Sequence, residues 1–248
     1  MLQEYQTPQG ETGMRRIFIA AFAAIAAFTM PALAASDIQT EILSHTVQIN
    51  HSCSGTIIWS NRDKKTGDVG TYVLTAKHCV RGESQNESVV DIPVYQKNRV
   101  VKRDSYIAEV YHVSSNRDLA LLKLLDTQTF FPVTAAVAGD DIDIEMGDPV
   151  IAAGYPASIG LTFTRGDFIA VEYNELPTSS ADFYRATVNI AGGSSGGGLF
   201  RKSADGGKFE LIGVTTAMRT DADFMSLYTT APDIYAFLGV ALPESVGR

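Results

Sequence analysis

Cysteine and histidine are scarce, and no cluster of positive charge occurs anywhere in the chain. Two cysteines in 248 residues exclude a disulfide scaffold and leave room for one bridge at most, which suits an exported chain. Lys and Arg total 20 against 28 Asp and Glu, a formal charge of −8, and the bases are scattered. Phosphate binding needs a concentrated basic surface, so no nucleic-acid partner is expected. Long apolar runs are also missing. The best one, residues 17–28, falls short of the roughly 20 residues that span a bilayer, which excludes a polytopic membrane protein. What remains is ordinary globular usage, 45% hydrophobic with 21 Gly and 9 Pro, in a length that suits one large β-rich domain or two smaller ones.

The start of the chain reads as an address. Arg15-Arg16 precede the apolar residues 17–28, and Pro31 and Ala32-Leu33-Ala34 follow. A basic start, a short apolar core and a small-x-small end describe a signal peptide, residues 1–34, cleaved after Ala34. Residues 1–13 look nothing like a signal start, so Met14 competes with Met1 as initiator. An uncleaved anchor is the rival reading, and Arg15-Arg16 with the apolar run also resembles a twin-arginine signal. Removing residues 1–34 takes Arg15, Arg16, Glu4 and Glu11, so the mature chain keeps the same charge. It is expected to be a monomer, secreted or periplasmic, with no stable membrane association after cleavage.

From residue 45 onward, short runs rich in Val, Ile, Thr and aromatics alternate with polar turns. Strands are expected at 47–49, 55–59, 70–75, 89–95 and 119–124, then at 149–153, 161–164, 167–172, 183–188, 198–200, 210–216 and 227–230. Polar breaks are expected at 61–68, 81–87 and 97–104. Only residues 232–238 suggest a helix, a short one. Many short strands at intervals of roughly 8–12 residues indicate an all-β sandwich or barrel. The acid-rich stretch 139–148 reads as a solvated linker between halves 35–138 and 149–248. Its carboxylates could hold calcium but lack an EF-hand pattern.

The most informative stretch is Gly192-Gly193-Ser194-Ser195-Gly196-Gly197-Gly198. A flexible linker is the bland reading, but strand-like runs lie on both sides. Glycines there suit a tight loop whose amides converge on one point without interference from Cβ atoms. A serine in such a loop is a candidate nucleophile, since adjacent N–H groups can stabilise the oxyanion that its attack creates. Gly193-x-Ser195-x-Gly197 formally matches the nucleophile elbow of α/β-hydrolases, but there the histidine follows the serine. The four histidines here, His45, His51, His78 and His112, all precede it. His78 ends the apolar run Tyr72-Val73-Leu74-Thr75-Ala76-Lys77, and Asp118 opens another, Leu119-Ala120-Leu121-Leu122-Lys123-Leu124. A buried carboxylate needs a hydrogen-bond partner, and an imidazole N–H supplies one. His51, Cys53, His78 and Cys79 include zinc-type ligands, but their spacing matches no common zinc motif.

The order His, Asp, Ser and the motifs around each residue resemble the chymotrypsin-like (trypsin-like) serine protease family in its bacterial secreted form. Thr75-Ala76-Lys77-His78-Cys79 resembles the family's Ser/Thr-Ala-small-His-Cys, and Asp118-Leu119-Ala120-Leu121-Leu122-Lys123-Leu124 its Asp-Ile-Ala-Leu-Leu-x-Leu. Gly193-Ser194-Ser195-Gly196-Gly197 resembles Gly-x-Ser-Gly-Gly. Ser52-Cys53-Ser54-Gly55-Thr56 resembles the early cysteine motif, and Gly147-Asp148-Pro149-Val150 with Gly154-Tyr155-Pro156 the opening of the second barrel. The resemblance covers about residues 40–240.

It implies an all-β fold of two six-stranded antiparallel β-barrels with a short C-terminal helix and a cleft between them. The first barrel would carry His78 and Asp118, the second Ser195. It also implies a serine endopeptidase that acts on peptide or protein substrates through an acyl-enzyme. The N–H groups of Gly193 and Ser195 would form the oxyanion hole, Cys53 and Cys79 the bridge, and no cofactor or metal would be needed. Asn189, six residues before Ser195, and Thr216, on the strand with Val214 and Thr215, would meet the substrate. With Asn189 in place of an acid, a small, apolar or uncharged residue is expected before the scissile bond. Ser194 stands where animal members have Asp, so activation by an ion pair to a new N-terminus is not expected. No appended PDZ-like domain is expected in this length. The alternative is a catalytically silent protein that keeps the fold for binding.

Overall fold

The computed structural model describes residues 35–80, 86–96, 99–132, 134–175, 180–218 and 226–243. The expected leader, residues 1–34, lies outside them. Six strands, β1 (Thr46–Ile49), β2 (Cys53–Arg62), β3 (Val69–Thr75), β4 (Glu87–Gln96), β5 (Arg99–Val113) and β6 (Ala120–Leu124), close into an antiparallel barrel. Their order is β1-β2-β3-β6-β5-β4, and Gln48 of β1 opposite Asp91 of β4 completes the ring. β3 and β6 are its most apolar staves: Val73, Leu74, Leu121 and Leu122 are wholly buried.

β7 (Ala136–Val137) leads to a second set of strands: β8 (Pro149–Gly154), β9 (Thr162–Glu175), β10 (Ser180–Ala186), β11 (Gly198–Lys202), β12 (Phe209–Met218) and β13 (Ser226–Thr230). The antiparallel order β11-β8-β9-β10-β13-β12 closes through the pairing of β11 with β12, and β7 adds to β12 in parallel. Two α-helices among the described residues complete the fold, α1 (Ala35–Glu41) and α2 (Ala231–Ala241). The Thr230 side chain accepts from the Asp233 N–H to cap α2, and Pro232 fits its first turn, where no backbone donor is needed. The architecture is thus two six-stranded antiparallel barrels with a short C-terminal helix.

Besides the short β7, which was not expected, three elements differ from the sequence expectation. Residues 99–104, expected as part of a polar break, begin the 15-residue strand β5, which pairs with β4 from Arg99 to Glu109 and with β6 from Ala108 to Val113. β5 is mostly exposed or half-buried, so its order comes from ladder hydrogen bonds rather than from an apolar face. The strands expected at 161–164 and 167–172 are the single strand β9. The break expected at Arg165-Gly166 does not interrupt it, and the Asp167 N–H donates to Thr187 Oγ1 at 2.8 Å while its carbonyl accepts from the Thr187 N–H at 3.0 Å. Helix α1 had no signal of its own. It leads into Ile42, and Ile38 and Ile42 join an apolar cluster that reaches from Leu74 and Leu121 to Phe200, Leu211 and Phe237. That cluster draws on both barrels and α2, so their junction is packed.

Candidate active site

His78 sits in a 3-10 turn, Lys77–Cys79, directly after β3. Asp118 precedes β6, which pairs with β3 from Tyr72↔Lys123 to Thr75↔Ala120, so the ladder brings the two turns side by side. The carboxylate grips His78 at two points. Oδ2 lies 2.7 Å from His78 Nδ1, and Oδ1 accepts the His78 backbone N–H at 3.0 Å. Asp118 is fully buried, while the His78 side chain keeps 29% of its surface open. A buried carboxylate with two such contacts fixes both the position of the ring and the nitrogen that carries its proton.

Ser195 belongs to the glycine loop between β10 and β11. Gly193 and Gly196 have φ of +95° and +80°, which glycine adopts freely. At Gly196 a Cβ would also collide with the Ser54 carbonyl and Thr75 Oγ1. The loop therefore presses on the segment just before His78. The Ser195 carbonyl accepts from the Ser54 N–H at 2.7 Å and lies 3.5 Å from Cys79 Sγ. The Cys53–Cys79 disulfide ties the start of β2 to the His78 turn, and its sulfurs lie within 4.8 Å of a His78 ring nitrogen. Because the two sulfurs are bonded to each other, neither offers a thiolate, and the zinc reading loses its ligands. Ser195 and His78 thus flank one sulfur, and no hydrogen bond joins them among the described residues.

Two of the loop's pinned carbonyls set the direction of the amides that follow them. Gly192 O accepts from the Ala157 N–H and Ser194 O from the Gly197 N–H. In a trans peptide the N–H points away from its own carbonyl, so the N–H groups of Gly193 and Ser195 are turned from those partners. Neither donates to an acceptor among the described residues. Ser194 closes its own turn: its N–H donates to Ala191 O, and its hydroxyl accepts from the Ala191 N–H at 3.3 Å. The space behind the loop, lined by Ala153, Asn189, Ser194 and Thr215 among others, is a cavity of about 10 Å³. Burial pushes the neighbouring Tyr155 phenol well above its ordinary range, with Arg103 opposing, so it stays neutral.

The expected cleft residues fare differently. Asn189 is exposed, and its carbonyl accepts from Thr164 Oγ1 at 2.8 Å. Thr216 is buried, with its hydroxyl 2.9 Å from Thr229 Oγ1 and 3.2 Å from the Val214 carbonyl. One anchor escaped the sequence reading. Ser54 Oγ donates to Gly193 O at 2.7 Å and accepts the Tyr155 N–H at 2.8 Å. Ser54 was legible only as part of the early cysteine motif.

Residues 53–214, more than half of the chain, match the family described as "Trypsin-like peptidase domain". The magnetosome formation protease MamE of Paramagnetospirillum magneticum is 27% identical over 179 residues, which cover 71% of this chain and 21% of that protein. The serine endoprotease DegS of Haemophilus influenzae is 27% identical over 207 residues, covering 82% of this chain and 49% of that one. The chain therefore spans between a fifth and a half of these relatives. Among solved structures, an HtrA-type protease with a tripeptide gives a TM-score of 0.65 at 20% identity, covering 85% of this chain and 64% of that one. The MamO protease domain from Magnetospirillum magneticum gives 0.61 at 20%, covering 79% and 96%. At these identities the likeness to the structures is one of fold.

Proposed function

This chain belongs to the trypsin-like peptidase domain family, and on that premise we propose that it is a serine endopeptidase working through His78, Asp118 and Ser195. The observation that carries the reading is the two-point grip of the buried Asp118 on His78, at 2.7 and 3.0 Å. Ser195 Oγ attacks the peptide carbonyl carbon while His78 Nε2 takes its proton. The tetrahedral oxyanion is received by the N–H groups of Gly193 and Ser195, which have no other acceptor among the described residues. His78 then gives the proton to the leaving amine, and an acyl ester remains on Ser195. Water, activated by the same imidazole, releases the acid. Asp118 holds the ring in place and stabilises the imidazolium. The hydrogen bond from Ser195 to His78 forms as substrate binds, since such contacts commonly tighten only in the complex.

Two further features support a loop that is ready without a processed N-terminus. Ser194 closes its turn internally, and the space behind it, lined by Ala153, Asn189 and Thr215, is small, about 10 Å³. The exposed, uncharged Asn189 supports a preference for a small, apolar or uncharged residue before the scissile bond. The relatives named "Probable periplasmic serine endoprotease DegP-like" and the Cys53–Cys79 bridge, which suits an oxidising compartment, support export, and the small-x-small end Ala32-Leu33-Ala34 supports cleavage after Ala34. No helix among the described residues is long and apolar enough to cross a membrane.

Labelling of the mature chain with a fluorophosphonate probe tests the reading, alongside Ser195→Ala and a heat-denatured control. We expect labelling of the folded wild type and none of Ser195→Ala with its fold intact by circular dichroism. Folded wild type that takes no label would overturn the reading in favour of a silent, binding-only relative.

A further inference from the structure

The residue before His78 is a lysine, where the resembled motif has a small side chain. Lys77 is 8% exposed, and its ammonium donates to the Ser114 carbonyl at 2.8 Å. Withdrawing an ammonium from water is costly, so a buried one marks a place where its charge and its bond are in use. Ser114 closes the turn that carries Asp118. Its N–H donates to the Leu119 carbonyl at 3.0 Å, while its hydroxyl donates to Asn116 Oδ1 and accepts the Arg117 N–H, each at 3.1 Å. The other flank of the turn is held by Arg117 Nε, 2.8 Å from Asp233 Oδ2 on α2. The Lys77 side chain therefore runs from the His78 turn to the backbone of the Asp118 turn, alongside the two contacts of the carboxylate.

Those two contacts both end on one side chain, and the torsions of Asp118 let the turn rock while they persist. The Lys77 bond ends on main chain and is independent of those torsions. We propose that Lys77 is a positioning residue for the His78–Asp118 pair. Its ammonium fixes the Asp118 turn against the His78 turn, so that the carboxylate stays in line with Nδ1 when the ring takes a proton. The inference rests on the reading of His78 as the general base and adds a residue that reading does not use.

The test compares mature wild type, Lys77→Met and Lys77→Arg with the disulfide intact. Four quantities are read: the fluorophosphonate labelling rate of Ser195, kcat and KM on a peptide substrate, and the low-field proton resonance of His78 Nδ1–H. In folded Lys77→Met we expect labelling and kcat to fall roughly tenfold or more, the size of effect that small misplacements cause. KM should stay close to wild type, and the low-field resonance should broaden or move upfield. Lys77→Arg keeps a charged donor and should recover most of both readouts. A folded Lys77→Met with wild-type labelling and an unmoved resonance overturns the proposal. Should it fail to fold, Lys77→Gln, which keeps an N–H donor on a shorter side chain, carries the same comparison. If folded wild type takes no label, the protease reading has failed instead, and the resonance alone decides whether Lys77 holds the pair.

Discussion

Removing one oxygen atom from Ser54 would free two main-chain groups at once. Its hydroxyl holds the Gly193 carbonyl and receives the Tyr155 N–H, and its own N–H holds the Ser195 carbonyl. Ser54 is fully buried, so water does not replace the lost contacts. An unsatisfied buried N–H costs about 1–3 kcal/mol, and the loop that presents the Gly193 and Ser195 amides would lose its side-chain tie to the first barrel at Gly193, keeping only the bond from the Ser54 N–H to the Ser195 carbonyl. Donors preorganised around an oxyanion act only when their positions are fixed. Ser54→Ala is therefore expected to lower kcat roughly ten- to a hundredfold with little change in KM, measured on a peptide substrate. A variant that loses stability in denaturant but keeps its kcat would show that Ser54 holds the fold and not the oxyanion site. The same scale separates what the sequence makes legible from what it hides. His78, Asp118 and Ser195 stand in patterned surroundings: an apolar run before one, an apolar run after another, glycines around the third. Ser54 and Lys77 carry no local pattern, because their meaning lies in partners 139 and 37 residues away along the chain.

Among the elements, β3 and β6 were readable because their side chains are buried almost without interruption, which leaves a continuous apolar run in the sequence. β5 was not, because a strand exposed along much of both faces has no hydrophobic period, and its pairing with β4 leaves no trace in composition. Helix α2 lies between these cases: the run 232–238 announced a short helix, but not its cap or the way it docks. Ile234, Phe237 and Leu238 enter the apolar cluster shared with both barrels, and the Phe237 ring lies 5.7 Å from that of His112 on β5. The ion pair from Asp233 to Arg117 ties the helix to the turn that carries Asp118. Ile234 is fully buried, whereas Val240 on the same helix is 78% exposed. Truncating a fully buried isoleucine costs about 2–5 kcal/mol in lost transfer energy and residual cavity. Chemical denaturation of Ile234→Ala should show a loss in that range, while Val240→Ala should stay within about 0.5 kcal/mol of wild type. Equal losses would mean that α2 is not docked as described.

For the whole molecule, the joint between the barrels holds a titratable group that the proposed chemistry does not use. His45 ends the 3-10 turn Leu43–His45 before β1, is wholly buried, and lies with its ring 6.3 Å from Phe200 of β11 in the other barrel. Burial lowers its pKa from 6.5 to about 4, with the Glu41 carbonyl opposing. That carbonyl lies outside hydrogen-bond geometry, since neither ring nitrogen has a partner among the described residues. Above pH 6.5 the ring is neutral in the folded and unfolded chains alike and has no influence on the pH dependence of stability. Between pH 6.5 and about 4 the unfolded chain binds a proton that the folded one refuses, so stability falls as pH falls through that window. At about 1.4 kcal/mol per pH unit, the loss reaches about 2 kcal/mol by pH 5. His45→Phe keeps an aromatic ring against Phe200 and removes the titration. Urea unfolding of both proteins at pH 7.5 and pH 5 isolates this contribution, because the remaining groups are common to the two. Wild type should lose about 2 kcal/mol more than His45→Phe over that interval. Equal losses would mean that His45 is hydrated or paired in the folded chain, and that the joint between the barrels is wetter than the packing of Ile42, His45 and Phe200 implies.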